Sequence, residues 1–145
     1  TKDRSLRDYW LNNAMEGKVM LKEYFDNAQG FGVLATADAS GKVNTAVYAR
    51  PHVMDEKTVA FIMAERLTHE NLKSNPWAAY LFMEAGGGWS GKRVYLKKLK
   101  EEQNEELIEE ICRKCDYSRY EVKNRFIVYF SVENVLPLIG SQESI

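Results

Sequence analysis

Residues 58–84 read TVAFIMAERLTHENLKSNPWAAYLFME, and this stretch decides the fold. Its first part, TVAFIM, alternates as a strand does and runs directly into Arg66, Thr68 and His69. About two turns of predicted helix follow, and an asparagine-proline pair ends them before a second strand-like segment begins. A strand, a short polar helix and another strand are therefore expected without a linker between them.

The start of this helix has two interpretations. Backbone N–H groups in the first turn of a helix lack intrahelical partners, and the helix dipole places positive charge there. Arg66 adds a charged fork, Thr68 a hydroxyl and His69 a further donor, which together suit a phosphate. Thr68 is equally an ordinary N-cap of a strand-to-helix connection. The local residues leave both interpretations open.

The composition is that of a soluble globular protein with one domain spanning residues 1–145. The chain is 45% apolar and 28% charged, and its net charge of −1 gives no electrostatic reason to expect nucleic acid or an anionic membrane as partner. No apolar run approaches the roughly 20 residues of a transmembrane helix. Two cysteines are too few for a disulfide framework. We therefore expect a cytoplasmic location.

Alternating apolar segments predict a mainly β fold. The six predicted strands are FGVLATA, VNTAVYARPHV, TVAFIM, WAAYLFME, KRVYLKKLKEE and RFIVYFSV. Helical patterns occur only at about residues 5–28 and at two places between strands. This order of helices and strands argues against a doubly wound sheet. Antiparallel hairpins that close into a small barrel over residues of about 31–132, with peripheral helices, fit this order.

A glycine-rich segment, GGGWSGKR at residues 86–93, matches part of a phosphate-loop pattern. Such a loop needs Ser or Thr after the lysine and a helix whose N-terminus faces the phosphates. Here Arg93 follows Lys92, and RVYLKKL alternates like a strand. We therefore predict a glycine hairpin that carries Trp89, Lys92 and Arg93 outward.

No catalytic or metal-binding constellation is apparent. Cys112 and Cys115 form a C-x-x-C pair, but both continue the apolar stripe of a helix that begins at about Asn104, so core packing is the expectation. His52 and His69 belong to no hydrolase or zinc motif. No metal site is predicted, and no catalytic residue is named.

The order of the motifs is more specific than any one of them. VNTAVYARPHVMDEKTVAFIM, then RLTHENLKSNPWAAYLF, then GKRVYLKKLKEE resembles the FMN-binding split-barrel superfamily of pyridoxamine 5′-phosphate oxidase-like proteins, over residues of about 20–140. The resemblance implies a six-stranded antiparallel split β-barrel with flanking helices. It also implies a homodimer with FMN at the interface.

The resemblance also assigns site residues, carried over position by position. Phosphate binding falls to Arg66 and Thr68, with His69 or Asn71 assisting. The flavin ring is expected beside two strand segments, which are Val47, Tyr48, Ala49 and Arg50, and Ile62, Met63 and Ala64. The other subunit is expected to contribute Trp89, Lys92 and Arg93.

Departures from the oxidase limit the function that the resemblance implies. Val47 and His52 stand where the oxidase has Arg and Lys, and no Arg or His follows Phe126 to hold its substrate. Vitamin B6 oxidation is therefore not the expectation. We expect an FMN-dependent oxidoreductase with an unassigned substrate and a small-molecule or nicotinamide electron donor. The alternatives are a non-enzymatic protein that stores FMN or transfers electrons, and a degenerate barrel that binds haem or nothing and acts as a dimeric interaction module.

Overall fold

Seven antiparallel strands and three short helices make up residues 21–111 and 124–140, which are the residues described by the computed structural model. Helix α1 covers residues 21–27 of this part. The other elements are β1 (Gly30–Ala37), β2 (Val43–Tyr48), β3 (His52–Val53), β4 (Thr58–Met63), α2 (Leu67–Ser74), β5 (Trp77–Glu84), β6 (Gly91–Glu102), α3 (Glu105–Ile111) and β7 (Phe126–Pro137).

The strands form a single curled sheet in the order β2-β1-β5-β6-β7-β4-β3, and every neighbouring pair is antiparallel. Tyr48 on β2 and Phe61 on β4 show the curl, because their rings lie 5.7 Å apart although four strands separate β2 from β4 in the sheet. Two register shifts in the long β6–β7 pair, next to Leu96 and Lys98, provide local bends. The predicted mainly β barrel class is confirmed.

The predicted number of six strands is wrong. VNTAVYARPHV is not one strand, because residues 49–51 separate β2 from β3. Pro51 lacks an N–H group and restricts the residue before it, so the ladder of β2 cannot continue through it. The chain crosses to the other edge of the sheet at this point, where His52 pairs with Ala60 of β4.

Inward-facing side chains of β1, β5, β4 and β7 fill the barrel. Leu34, Phe82 and Phe130 are fully buried there. Helix α1 closes one end of the barrel, where the Phe25 ring meets the Phe82 ring edge-on at 5.4 Å. Burial of an aromatic side chain contributes about 1.5–3 kcal/mol, so this contact is a main anchor of α1.

A second, smaller cluster lies under α3, where Ile108 and Ile127 are fully buried. The predicted helix start is confirmed, because Asn104 Oδ1 accepts a hydrogen bond of 3.1 Å from the Leu107 N–H. Cys112, Cys115 and most of the predicted N-terminal helices lie outside the described residues. Within the described part, no helix has the length and apolar character needed to cross a membrane.

Candidate functional site

The first turn of α2 follows β4 in the chain and contacts β2, and Arg66 is its N-cap. Arg66 has extended backbone angles (φ −135°, ψ −173°) and makes no side-chain capping bond. Its guanidinium forms no hydrogen bond or ion pair with the described residues. Thr68 is instead the second residue inside the helix, so the interpretation of Thr68 as the N-cap is wrong. A cation without a partner therefore stands at the positive end of α2.

Thr68 faces the edge strand β2 and is 3% exposed. Asn44 Nδ2 lies 3.5 Å from Thr68 Oγ1, at the outer limit of a hydrogen bond. Burial raises the pKa of the Tyr48 hydroxyl, although a hydrogen bond with Thr68 and the positive charge of Arg66 oppose the rise. Asn44, Tyr48, Arg66 and Thr68 therefore meet at one place, which we call the α2 corner.

His69 follows Thr68 in the first turn of α2 and is also a buried residue of the α2 corner, with 2% of its surface exposed. Its Nε2 lies 2.8 Å from Glu101 Oε2 on β6, and its ring stacks on Phe126 of β7 at 4.0 Å. Burial raises the pKa of the Glu101 carboxyl, but hydrogen bonds from Lys98 and His69 outweigh burial and leave that pKa below its usual value. Glu101 is therefore a carboxylate that accepts the Nε2–H bond.

The other ring nitrogen of His69, Nδ1, is buried and has no hydrogen-bond partner within residues 21–111 and 124–140. A buried polar atom without a partner costs about 1–3 kcal/mol, so such an atom marks a place where a ligand group or water is expected. Asn71 differs from His69 in this respect, because its Nδ2 donates to Thr36 Oγ1 at 3.1 Å. Asn71 anchors α2 to β1, whereas His69 keeps a ring nitrogen available.

Sequence reasoning missed Asn44 and Glu101. Asn44 occupies an inward position of β2, and a polar amide at such a position is a usable signal for a functional group. Glu101 lies within a run of charged residues that reads as a solvated surface, so nothing in the sequence distinguishes it.

The first predicted ring segment, residues 47–50, divides between the two sides of the sheet. Val47 is 77% exposed on the outer side, whereas Tyr48 points inward against Phe61. Arg50 Nη1 donates to the carbonyl oxygens of Phe25 and Ala28, at 2.8 and 2.7 Å, and so caps the C-terminus of α1. Val47 and Ala49 are the exposed apolar residues of this segment.

The second predicted ring segment, residues 62–64, leads directly into the α2 corner. The Ile62 side chain packs against the cluster under α3, and Met63 is fully buried in the main core. The Ala64 carbonyl accepts a hydrogen bond of 3.0 Å from the Arg66 N–H. Because both large side chains are occupied by packing, a ligand here meets the main chain and the small Ala64.

The residues predicted to contribute from the other subunit lie far from the α2 corner of their own chain. They are Trp89, Lys92 and Arg93. Trp89 is 70% exposed in the β5–β6 hairpin loop, Lys92 lies over the Tyr24 ring, and Arg93 Nε donates to the Pro137 carbonyl at 3.0 Å. This loop lies beyond the Gly30 end of β1, whereas α2 contacts Thr36 near the other end. Six residues of β1, from Gly30 to Thr36, separate the loop from α2 by roughly 20 Å along the strand. One chain therefore does not bring this loop to the α2 corner.

The glycine-rich loop is not a phosphate loop. Strand β6 begins at Gly91, so no helix follows the glycines. Among residues 21–111 and 124–140, no three His, Cys, Asp or Glu side chains lie close enough together to hold a metal ion.

The groups of the α2 corner fit a phosphate. They are a guanidinium, a hydroxyl and first-turn N–H groups, and they combine positive charge with hydrogen-bond donors.

The fold is shared with solved structures of low sequence identity, although no protein-family model and no curated protein matches the sequence. An FMN-binding protein from Syntrophomonas wolfei is 19% identical with a TM-score of 0.75, over 97% of this chain and 99% of that one. A proposed pyridoxamine 5′-phosphate oxidase from Lactobacillus delbrueckii is 21% identical with a TM-score of 0.61, over 88% and 98%. An F420 reductase is 17% identical with a TM-score of 0.58, over 78% and 94%. The chain therefore has the split-barrel fold of the FMN-binding and pyridoxamine 5′-phosphate oxidase-like proteins, as the order of its motifs predicted.

Proposed function

We propose that this protein is a cytoplasmic, homodimeric FMN-dependent oxidoreductase. The α2 corner is the observation that carries the proposal, because it joins the Thr68 hydroxyl and an Arg66 guanidinium that has no partner among the described residues at one helix N-terminus. The similarity in fold to an FMN-binding protein supports FMN as the ligand.

Each group of the corner has a role toward the phosphate of FMN. A phosphate monoester carries about −1.5 to −2 charges, which the Arg66 fork and the dipole of α2 oppose. Thr68 donates its hydroxyl hydrogen. His69 assists by holding the first turn of α2 in place through its contact with Glu101 on β6.

The flavin ring is proposed to lie along residues 47–50 and 62–64, where main-chain groups meet its polar edge. The bound flavin supplies hydride or electron transfer, and the protein supplies binding and a fixed orientation. No described side chain at the corner is placed to act as a catalytic acid or base, so these residues bind and do not react.

A homodimer is supported by an apolar patch on the outer side of β2, β1 and β5. Val47, Val33 and Leu81 lie side by side across these three strands, and directly opposite residues share a face. Val43 on the same face is 75% exposed, and Val47 is 77% exposed. We call Val33, Val43, Val47 and Leu81 the outer patch. Exposed and half-buried apolar side chains grouped on one face of a sheet are typical of protein interfaces.

A second copy that packs on the outer patch would also complete the cofactor site. Val47 belongs both to the outer patch and to the proposed ring segment. Because Trp89 cannot reach the α2 corner of its own chain, the proposed contribution of the loop comes from the other subunit.

The absorbance spectrum of the purified protein, with and without added FMN, tests the proposal. Flavin absorbance bands that remain with the protein after gel filtration are expected. A colourless protein that leaves the spectrum of added FMN unchanged would contradict it. The same titration with F420 distinguishes the two cofactor classes, because an F420 reductase shares the fold.

Stopped-flow reduction by NADH or NADPH separates an enzyme from an FMN store. An enzyme is expected to reduce its flavin much faster than free FMN is reduced under the same conditions. Equal rates for bound and free FMN would instead support the storage or electron-transfer alternative.

A further inference from the structure

A second concave site lies at the opposite end of β1 from α2. It is a groove of about 610 Å³ between the end of α1 and the start of β1, and its lining includes Asp26, Asn27, Gln29, Phe31 and Arg50. The volume lies in the range of small-molecule sites in proteins. The predicted cofactor contacts make no use of Phe31 or of the end of α1.

Arg50 is held in this groove by one nitrogen only. Nη1 donates to the carbonyl oxygens of Phe25 and Ala28, whereas Nε and Nη2 have no hydrogen-bond partner among the described residues. Nε and Nη2 form the side of the guanidinium that presents two parallel N–H groups to a carboxylate. The helix end therefore fixes the arginine while its carboxylate-binding edge stays free, which lowers the entropic cost of binding.

Phe31 supplies an apolar surface beside this cation. Its side chain is 55% exposed and belongs to neither buried cluster of the described residues. An exposed phenyl ring next to a guanidinium suits a planar ligand that carries negative charge, since the ring stacks and the cation pairs.

The charges that line the groove favour an anion despite the presence of Asp26. The Asp26 carboxylate pairs with Lys22 Nζ at 2.9 Å, which offsets its charge. Arg50 remains as the uncompensated charge, and Asn27 and Gln29 add neutral amides.

We propose that this groove binds a small planar carboxylate, with the carboxylate on Nε and Nη2 of Arg50 and the planar part against Phe31. The site uses only groups of one chain and needs no flavin. Arg50 also belongs to the segment proposed to lie along the flavin ring, but benzoate binding is tested on the FMN-free protein and therefore does not depend on the FMN proposal.

Titration of the FMN-free protein with sodium benzoate, followed by amide NMR shifts at constant ionic strength, tests this site. Saturable shifts confined to residues 26–31 and 50 and their neighbours are expected. Benzamide has the same shape without the charge, so it is expected to bind about tenfold more weakly. Absence of localised shifts, or equal affinity for benzoate and benzamide, overturns the proposal.

Three variants sharpen the test. Arg50→Lys keeps a cation that can cap α1 but loses the fork, and we expect about tenfold weaker benzoate binding. Phe31→Ala removes an exposed ring without touching the core, and it is expected to weaken binding several-fold. Asp26→Asn removes the opposing charge and is expected to strengthen binding. Unchanged affinity in folded Arg50→Lys and Phe31→Ala proteins, checked by their melting temperatures, overturns the proposal.

Repeating the titration after addition of FMN keeps the two proposals apart. Benzoate binding by a protein that does not retain FMN contradicts the cofactor proposal alone. FMN retention without benzoate binding contradicts the groove proposal alone.

Discussion

His69 Nε2 and Glu101 Oε2 lie 2.8 Å apart, and this contact ties the first turn of α2 to β6. The imidazole is 2% exposed and the Glu101 side chain 27% exposed, so the pair is largely shielded from water. Lys98 Nζ donates to the other carboxylate oxygen of Glu101 at 2.6 Å. The charged run on β6 has the sequence pattern of a solvated surface. It nevertheless contains the Glu101 carboxylate, which orients the buried His69.

The Glu101 carboxylate is expected to make stability depend on pH. Hydrogen bonds from Lys98 and His69 overcome burial and hold its pKa below the usual value of 4.5. As the pH falls towards that usual value, Glu101 binds a proton in the unfolded chain before it does so in the folded chain. The stabilisation is therefore complete above that value and is lost as the pH falls through the folded-state pKa. Denaturant unfolding at pH 7 and near pH 4 measures this loss.

Glu101→Gln is expected to flatten this dependence and to lower the free energy of unfolding at pH 7 by about 1–3 kcal/mol. Glu109→Gln, at an exposed position of α3, is the matched control and should change neither quantity. An unchanged pH dependence in Glu101→Gln would show that the contact contributes nothing to stability.

Arg66→Ala is expected to weaken FMN binding about 10–100-fold, because a charged hydrogen bond contributes about 1.5–3 kcal/mol. Riboflavin lacks the phosphate, so its affinity should change little. Fluorescence quenching of each flavin measures both affinities. Lys73→Ala removes an exposed cation from the last turn of the same helix and should leave both unchanged. Equal losses for FMN and riboflavin would contradict a phosphate site at Arg66.

Thr68→Val preserves shape and removes the hydroxyl, so the ratio of FMN to riboflavin affinity should fall several-fold. Asn71→Ala removes the bond to Thr36 and is expected to cost about 1–2 kcal/mol of stability without changing that ratio. Parallel titrations and unfolding curves of the two variants measure both effects. A lower ratio in Asn71→Ala than in Thr68→Val would reverse these two assignments.

Val47→Glu and Leu81→Arg place charges in the outer patch and should convert a dimer into a monomer in sedimentation experiments, because the charges would be desolvated at the interface. FMN retention should fall together with dimer content. Ile139→Lys changes an apolar residue that is 62% exposed outside the outer patch, and it serves as the control. A wild-type monomer that retains FMN would exclude a site shared between subunits.

Gly32→Ala is expected to destabilise the fold by about 1–3 kcal/mol. A Cβ atom at this position would lie 2.0 Å from the Tyr80 hydroxyl oxygen, and Tyr80 is 1% exposed and donates to the Tyr48 carbonyl. Gly86→Ala is the control, since no atom lies within 4 Å of its added Cβ. Thermal unfolding compares them, and equal melting temperatures would show that the Tyr80 ring moves aside at no cost.

The sequence by itself determined the strand-helix-strand segment and the mainly β class, because alternation with period two and a proline stop are local properties. It also gave Arg66 and Thr68 as candidates for phosphate binding, and the two residues are close in space because they are close in sequence. The predicted strand count is wrong because Pro51 divides VNTAVYARPHV into two strands. Local alternation does not show which edge of the sheet the second of these strands joins. The segment after Pro51 pairs with β4 at the other edge of the sheet.

Only the tertiary structure decided which side chains have partners. His69 and Asn71 are both buried polar residues of one helix, but strand closure brings Thr36 to Asn71 and Glu101 to His69, and it leaves His69 Nδ1 without a partner. The free edge of Arg50 likewise depends on the end of α1, which lies about 22 residues earlier in the chain. These contacts join residues that are far apart in sequence, and no local pattern encodes them because they exist only when the sheet has curled.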